Sequence, residues 1–323
     1  MTDMHPLISP ATDKTAFLFP GIGLSYAQTI LEIREFPAFY KNCSKVGIHD
    51  TRSMALNDMM AHERQAGDDI EIQKLAYITN CTISDIYKEN GISPQITLGY
   101  SMGMLPALYS ADFYSLETGI RILEKAFDLF RQFCTASPEE FGVGLILGFK
   151  QEELYNLILR KFENDIEIVI YNGQCSFVVS GEKDKLEYCL SMAIKKGAIS
   201  ARRIPTRHPY HYSGAKSISQ ELSAFIHGLP LNEPVCAVLS PVDGSLITKE
   251  NFAEKVAISY SSPLHFDRAV DILGREYDVT RYYESGPVGS IKRMIKHINK
   301  YLQITTCTKI IACVNSRLSS QAF

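Results

Sequence analysis

Apolar and polar positions along the first 140 residues alternate between the pattern of buried strands and that of amphipathic helices. Two short apolar runs, at 15–19 and 95–98, each lead into a glycine-containing turn, which predicts a buried strand at each place. Apolar residues at helical spacing predict helices over 26–34, 71–89 and 115–133. This alternation is typical of the α/β class.

The pattern changes at about residue 141. From there the apolar positions predict, in order, a strand, a helix, two strands, a helix and a strand, over 143–149, 152–162, 166–171, 176–180, 183–196 and 201–204. The order βαββαβ is that of a ferredoxin-like unit. We therefore predict a small subdomain at 141–205, inserted into a large α/β subdomain made of 1–140 and 206–323, with a cleft between them.

A serine between two glycines follows the second predicted strand and is the first candidate for chemistry. The run is Leu98-Gly99-Tyr100-Ser101-Met102-Gly103. In a strand-to-helix elbow, the residues two before and two after the serine must be small, because the backbone folds back on itself there. Gly99 and Gly103 meet this requirement. The pattern predicts Ser101 as a nucleophile, and an ordinary tight turn with an idle serine is the alternative.

The composition excludes several classes of partner. The chain has 323 residues, of which 46% are hydrophobic and 21% charged, and a formal net charge of -3, as is typical of a soluble globular protein. Charges of both signs are interspersed, so we expect neither nucleic acid nor an anionic membrane as a partner. The sequence shows no leader pattern and no apolar stretch of about 18 residues, so we expect a cytoplasmic location.

Cysteines and histidines do not indicate a metal site. The eight cysteines form no CxxC pair and lie mostly within apolar patterns, which predicts reduced core residues, at positions 43, 81, 134, 175, 189, 236, 307 and 313. His208 and His211 are close together but have no cysteine or carboxylate at ligand spacing. We expect no bound metal.

The segment 204–211 leaves the predicted small subdomain and returns to the large one. It brings His208 and His211 to the expected cleft, where either could act as a general base. From the residues alone the choice stays open, and a solvated loop histidine is the alternative for each.

A basic amphipathic run follows the predicted strand and Gly-Pro turn at 282–289. It covers 291–296 and carries Lys292, Arg293 and Lys296. These residues are either a solvated helix face or a docking surface for an acidic partner.

Six segments together resemble one family. In order along the chain they are Phe17-Leu18-Phe19-Pro20-Gly21-Ile22-Gly23, Gly99-Tyr100-Ser101-Met102-Gly103, Val178-Val179-Ser180-Gly181, Ile204-Pro205 through His211, Val242-Asp243-Gly244 and Glu284-Ser285-Gly286-Pro287. They resemble the landmarks of the malonyl-CoA:acyl carrier protein transacylases and of polyketide synthase acyltransferases, from about Ala16 to His297. The resemblance implies an α/β-hydrolase-like large subdomain with a ferredoxin-like small one.

The resemblance also implies roles for individual residues. Ser101 would be acylated by a thioester, and His211 rather than His208 would be its general base, oriented by the backbone carbonyl of Ser259. The backbone amides of Ile22 and Met102 would form the oxyanion hole. The implied substrates are acyl-CoA and phosphopantetheinyl acyl carrier protein, the latter also the protein partner, with no bound cofactor.

This chain departs from the family at two positions. Ile22 stands where the family usually has glutamine, which keeps the amide and loses the polar side chain. Ala126 aligns with the arginine that holds the malonyl carboxylate, and neither Arg121 nor Lys125 aligns with it. Without that cation a buried malonyl carboxylate would be unpaired at a cost of several kcal/mol. We therefore predict that Ala126 and Phe127 line a pocket for an uncharged acyl group.

Several functions fit these residues. The first is an acyltransferase for acetyl or a longer acyl group in fatty acid or polyketide biosynthesis. The same acyl-enzyme would also serve an acyl hydrolase that clears stalled acyl groups from carrier proteins, or an ordinary malonyl-CoA:acyl carrier protein transacylase. A silent subunit that binds carrier protein and a simple serine esterase are further alternatives.

Overall fold

The computed structural model describes residues 13–22, 24–48, 69–163, 165–287, 289–308 and 311–312. Residues 1–12, Gly23 of the first turn and Cys313 lie outside the described residues. The chain forms two five-stranded sheets with helices packed against them. The α/β class predicted from the sequence is confirmed.

The first sheet is wholly parallel, in the order β10-β9-β1-β2-β7. Its strands are β1 (Lys14–Phe19), β2 (Ile96–Gly99), β7 (Ala237–Leu239), β9 (Val279–Glu284) and β10 (Ile304–Thr306). β1 lies in the middle, and its apolar residues are buried because both faces of the sheet are covered. Phe17 and Phe19 point to a layer of helices, whereas Ala16 and Leu18 point to the opposite face.

Most helices lie outside the segment 141–205. They are α1 (Ala27–Ile33), α2 (Pro37–Lys45), α3 (Ile70–Glu89), α4 (Met104–Ser110), α5 (Leu116–Ala136), α8 (Lys216–His227), α9 (Phe252–Ser259), α10 (Phe266–Arg275) and α11 (Ser290–Ile295). The predicted helix starts agree with the caps: Asp69 and Ser115 accept hydrogen bonds from backbone amides of the first turns of α3 and α5. Among the described residues, no helix is long and apolar enough to cross a membrane.

The second sheet has the order β6-β3-β5-β4-β8. Its strands are β3 (Phe141–Leu147), β4 (Ile166–Tyr171), β5 (Ser176–Glu182), β6 (Ser200–Ile204) and β8 (Leu264–His265), and its outer face carries α6 (Gln151–Leu157) and α7 (Lys183–Lys195). The predicted order βαββαβ is therefore present. β8 pairs with β4 in parallel, so one strand of this sheet comes from outside 141–205. The subdomain boundaries at 140 and 205 stay a prediction.

The structure corrects one helix of the sequence analysis. The predicted helix over 152–162 is α6 followed by a separate 3₁₀ turn at Leu159–Phe162, because the backbone leaves helical geometry at Ile158. Ile158, Leu159 and Phe162 are all buried under the sheet, so their apolar spacing continues across the break and conceals it.

The two sheets meet through apolar side chains. Val143, Val169 and Val178 on the inner face of the second sheet are buried in the same cluster as Ala16 and Leu18 of the first. The carboxyl ends of β1 and β2 open toward this junction, which is where open α/β sheets place their ligands.

Candidate active site

The serine lies in a strand-to-helix elbow at the carboxyl end of β2. A Cβ at Gly99 would lie 2.2 Å from the backbone of Met104, and a Cβ at Gly103 would lie 2.1 Å from the carbonyl oxygen of Phe19. Both positions therefore require glycine, as the sequence pattern predicts. Tyr100 donates its backbone N–H to the same Phe19 oxygen at 2.8 Å, which fixes the elbow against β1.

Ser101 and His211 both have left-handed backbones. Their φ angles are 55° and 69°, and only Asp112 and Asp278 share this feature among the described non-glycine residues. Such conformations are costly for residues with a Cβ and persist where the surrounding structure enforces them, often at functional sites. The strain at Ser101 and His211 therefore marks this place independently of any motif.

Two hydrogen bonds connect Ser101, His211 and the backbone carbonyl of Ser259. Ser101 Oγ lies 2.8 Å from His211 Nε2, and His211 Nδ1 lies 2.5 Å from the backbone oxygen of Ser259. A carbonyl oxygen only accepts, so Nδ1 carries the proton and Nε2 is left to accept from the serine hydroxyl. The carbonyl occupies the position that an aspartate holds in a Ser-His-Asp triad.

Burial keeps the His211 imidazole neutral. It lowers the pKa of His211 to about 4, although the hydrogen bond to Ser259 acts in the opposite direction. Because neutral imidazole can accept a proton at Nε2, the side chain is ready to act as a base at pH 7.

The turn after β1 lies directly beside the nucleophile. A Cβ at Gly21 would lie 3.1 Å from the Cβ of Ser101. Ile22 and Met102, which the sequence analysis assigns to the oxyanion hole, line the same small pocket as Ser101. Their amides as oxyanion donors stay a prediction.

Asn80 holds this turn and was missed by the sequence analysis. Its Nδ2 donates to the Pro20 oxygen at 3.1 Å and to Tyr26 Oη at 3.2 Å, and Tyr26 donates to the Gly21 oxygen at 3.0 Å. Asn80 is fully buried. The sequence did contain a signal for it, since Asn80 is a polar residue on the otherwise apolar, buried face predicted for α3.

Ala126 and Phe127 lie at a side pocket of about 20 Å³ next to Ser101. The rings of Phe127, Tyr210 and Tyr260 line it and pack with those of Phe130 and His208 behind them, with centroid distances from 4.5 to 6.3 Å. The pocket's lining, as far as the structure describes it, contains no lysine or arginine.

The two cations near Ala126 in the sequence, Arg121 and Lys125, are absent from the described lining of the side pocket. The exposed Arg121 instead lies over the ring of Phe225, 5.8 Å from its centroid. The helix that would present a carboxylate-binding cation therefore presents an alanine methyl group.

His208 lies apart from the serine. Its ring packs edge-on against Phe127 at 5.0 Å, and its Nδ1 is 3.2 Å from Tyr210 Oη. Of the two histidines in this segment, the structure brings His211 to Ser101.

A larger cavity of about 450 Å³ opens on the other side of Ser101, between the sheets. Apolar side chains from the inner face of the second sheet form most of its roof. Ser101 and His211 lie in its wall, and Arg293 and His297 line it as well.

The basic run forms most of α11 and its C-cap, with Lys292 and Arg293 exposed on the helix and Lys296 exposed at its end. The buried carboxylate of Glu284, at the end of β9, accepts hydrogen bonds from the amides of Gly289 and Ile291 and from the Ser290 hydroxyl. Burial raises the pKa of Glu284, although these hydrogen bonds lower it. The contacts fix the start of α11 at the cavity.

No group of His, Cys, Asp or Glu side chains suited to a metal ion occurs in the part of the chain that the structure describes. The seven cysteines within that part are free, at 43, 81, 134, 175, 189, 236 and 307.

No family model matches the chain. Among curated proteins it is 25% identical over 299 residues to the malonyl CoA-acyl carrier protein transacylase of Bacillus subtilis, with 90% of this chain and 92% of that protein covered. The corresponding protein of Staphylococcus aureus is 24% identical over 299 residues, with coverage of 91% and 95%. The chain is a relative of the malonyl-CoA:acyl carrier protein transacylases.

Longer proteins contain a similar segment. A pikromycin polyketide synthase component of Streptomyces venezuelae is 22% identical over 242 residues, which is 73% of this chain and 6% of that protein. The resemblance to transacylases and polyketide synthase acyltransferases drawn from the six segments is thus confirmed.

Solved structures show the same transacylase fold. The transacylase of Coxiella burnetii superposes with a TM-score of 0.80 at 20% identity and covers 95% of this chain and 98% of its own. A malonyl-transacylase in complex with a type II polyketide synthase acyl carrier protein gives a TM-score of 0.78 at 20% identity, with coverage of 91% and 95%.

Proposed function

We propose that this chain is an acyltransferase that carries an acyl group on Ser101 between thioesters of coenzyme A and acyl carrier protein. The observation that supports this most strongly is the contact of Ser101 Oγ with His211 Nε2 at 2.8 Å. Its relatives are named transacylases, and one neighbour in structure was solved with its acyl carrier protein. Fatty acid or polyketide synthesis is the setting that these relatives favour.

In the first half-reaction, Ser101 Oγ attacks the thioester carbonyl carbon and His211 Nε2 takes the hydroxyl proton. The C–S bond then breaks, and the departing thiolate takes the proton from His211. In the second half-reaction, the thiol of the acceptor gives its proton to Nε2 and attacks the ester carbonyl. The bond to Ser101 breaks, and the serine oxygen regains the proton.

The developing negative charge on the carbonyl oxygen needs donors. We assign them to the backbone amides of Ile22 and Met102, which border the side pocket with Ser101. Each such donor contributes roughly 3 kcal/mol to transition-state stabilisation in comparable enzymes. Asn80 and Tyr26 act on this hole indirectly, since they hold the turn that carries Ile22.

The acyl group is uncharged in this proposal. Ala126 stands where a malonyl-specific relative would need a cation, and the described lining of the side pocket supplies no other. A malonyl carboxylate buried in the side pocket would be left without a partner, at a cost of several kcal/mol. The arginines that line the larger cavity, Arg202 and Arg293, are both exposed. This argues against an ordinary malonyl transacylase.

Mass spectrometry of the intact protein tests the proposal. Acetyl-CoA should add one acetyl group to the wild type and none to Ser101→Ala, and phosphopantetheinyl carrier protein should then remove the label and become acetylated. Release of the label as free acetate at the same rate with and without carrier protein would instead identify an acyl hydrolase. Absence of labelling by every acyl-CoA and acyl carrier protein would leave a silent binding subunit.

A further inference from the structure

The two spaces beside Ser101 differ in volume by more than tenfold. The side pocket at Ala126 holds about 20 Å³, which is little more than one water molecule requires. The cavity between the sheets holds about 450 Å³, within the range of small-molecule sites. An acyl chain longer than a few atoms therefore fits only the second space.

Packed rings keep the side pocket small. Phe127 lies against His208, and Phe130 lies 4.5 Å from Tyr210, centroid to centroid. Tyr260, which also lines the pocket, is buried. Enlarging the pocket would require several of these close-packed rings to move together.

The larger cavity is wide enough for two chains side by side. Its roof is formed by β6, β3, β5 and β4, which are neighbours in that order. Three spacings between adjacent strands amount to about 14 Å. A thioester bound at Ser101 has two arms, the acyl chain and the pantetheine. Both arms must extend away from the serine through the cavity.

The two halves of this roof differ in polarity. The β3/β6 half presents Val143, Leu145, Leu147 and Ile204 to the cavity. Arg202 on the edge strand β6 pairs with Leu145 and also lines the cavity, and its side chain is exposed.

The β5/β4 half presents Val169, Ile170 and Val178 and also carries the uncharged polar groups of the roof. Ser176 and Asn172 lie there, opposite Arg293 and His297. Asn172 is 4% exposed; its side chain hydrogen-bonds with Tyr100, whereas its Oδ1 accepts no hydrogen bond from the described residues. An unpartnered buried oxygen in a cavity wall indicates that a ligand donor meets it there.

We propose that the acyl chain lies against the β3/β6 half of the cavity, while the polar pantetheine arm lies against the β5/β4 half. This inference rests on the proposed function. It assigns the substrate class as thioesters of extended, uncharged acyl groups of medium length, and it makes Leu145 and Leu147 specificity-determining residues. The described part of the side pocket beside Ala126 takes no part in chain-length selection.

Labelling rates at Ser101 with octanoyl-CoA and acetyl-CoA, measured by intact mass, test this assignment. Leu145→Asn and Leu147→Asn each place a polar amide where the chain would lie. We expect each to lower the octanoyl to acetyl rate ratio at least tenfold. Both leucines are partly exposed, so the substitutions are compatible with folding. Ile194→Asn on the outer side of α7, where the side chain is 50% exposed, is the control and should leave the ratio unchanged.

The outcomes separate the inference from the proposed function. An unchanged ratio in both leucine variants, or labelling of the wild type by acetyl-CoA without octanoyl-CoA, would overturn the placement of the chain while leaving the acyltransferase intact. Absence of any acyl-enzyme would overturn the proposed function itself.

Discussion

Ser101 and His211 are 110 positions apart in sequence, yet Ser101 Oγ lies 2.8 Å from His211 Nε2, and both backbones are left-handed. The serine gets its position from the elbow after β2. The histidine gets its position from Ser259 and from its own backbone N–H, which donates to the Tyr260 oxygen at 2.8 Å. Two strained residues held against each other from separate segments form a preorganised pair.

Removal of the base should slow acylation much more than it weakens binding. We expect His211→Ala to lower the rate of Ser101 acetylation by roughly 10³-fold, as for bases of serine enzymes generally. His208→Ala should lower it far less, because His208 contacts Tyr210 and Phe127 rather than the serine. Single-turnover labelling measures both. Equal losses in the two variants would contradict the assignment of the base.

The acylation rate should depend on pH through His211. Its folded pKa is lowered to about 4, so the imidazole is neutral and active above that value and is protonated and inactive below it. We therefore expect the rate to rise through about pH 4 and to be flat near pH 7. An inflection near 6.5, the ordinary value for histidine, would show that burial does not act on this group as described.

His211 also affects stability over the same range. The unfolded chain takes up a proton below about pH 6.5, whereas folded His211 takes it up only below about pH 4. The His211 contribution to the free energy of unfolding should therefore rise with pH between these values. Urea denaturation of the wild type and His211→Ala at pH 4.5 and 7.5 measures the difference, and equal pH dependence in both would contradict it.

The elbow glycine at 103 should be irreplaceable. A methyl group there would lie 2.1 Å from the Phe19 oxygen, so we expect Gly103→Ala to destabilise the protein by about 3 kcal/mol. Gly228→Ala is the control, since its methyl group would meet only the Phe225 oxygen at 3.6 Å. Thermal melting compares them. A melting temperature of Gly103→Ala equal to that of the control would refute the close packing of the elbow.

Asn80 should matter for the rate because it holds the turn beside the nucleophile. Asn80→Asp removes the donor to Pro20 and Tyr26 at nearly constant volume, and we expect acylation to slow about tenfold, a loss comparable to one strong hydrogen bond. Asn90→Asp, at the end of the same helix, makes the same chemical change far from the turn. Similar rates in both variants would remove Asn80 from the positioning of the site.

The exposed charges on α11 and at its C-terminal end should favour the reaction with carrier protein over that with small thioesters. We expect Lys292→Glu with Lys296→Glu to lower kcat/KM for an acyl carrier protein thioester, because these substitutions would repel the acidic carrier protein that a basic docking surface fits. The rate with a neutral short-chain thioester should not change. Lys195→Glu, on exposed α7, is the control. If kcat/KM for the carrier thioester were unchanged at low salt, α11 would not be a docking surface.

Local patterns in the sequence predicted the elbow, the α/β class and the βαββαβ order, because glycine spacing and apolar periodicity act over a few residues. The short strand β8 escaped prediction, since its two residues pair with β4 only after the chain returns to the second sheet. The closed side pocket also escaped, because it depends on rings from α5 and from the segments at 208–210 and 260. In the sequence, Ala126 alone indicated that the carboxylate-binding arginine is missing. The ring packing that fills the space beside it is visible only in the three-dimensional structure.

Competition between malonyl-CoA and acetyl-CoA for Ser101 tests the central claim most directly. The two are mixed at equal concentration with the wild type, and the mass of the acyl-enzyme is read within one turnover. We predict an acetyl adduct in excess of malonyl by at least tenfold, since the described lining of the side pocket offers no cation to a carboxylate. A predominant malonyl adduct at Ser101 would contradict the account and identify an ordinary malonyl transacylase.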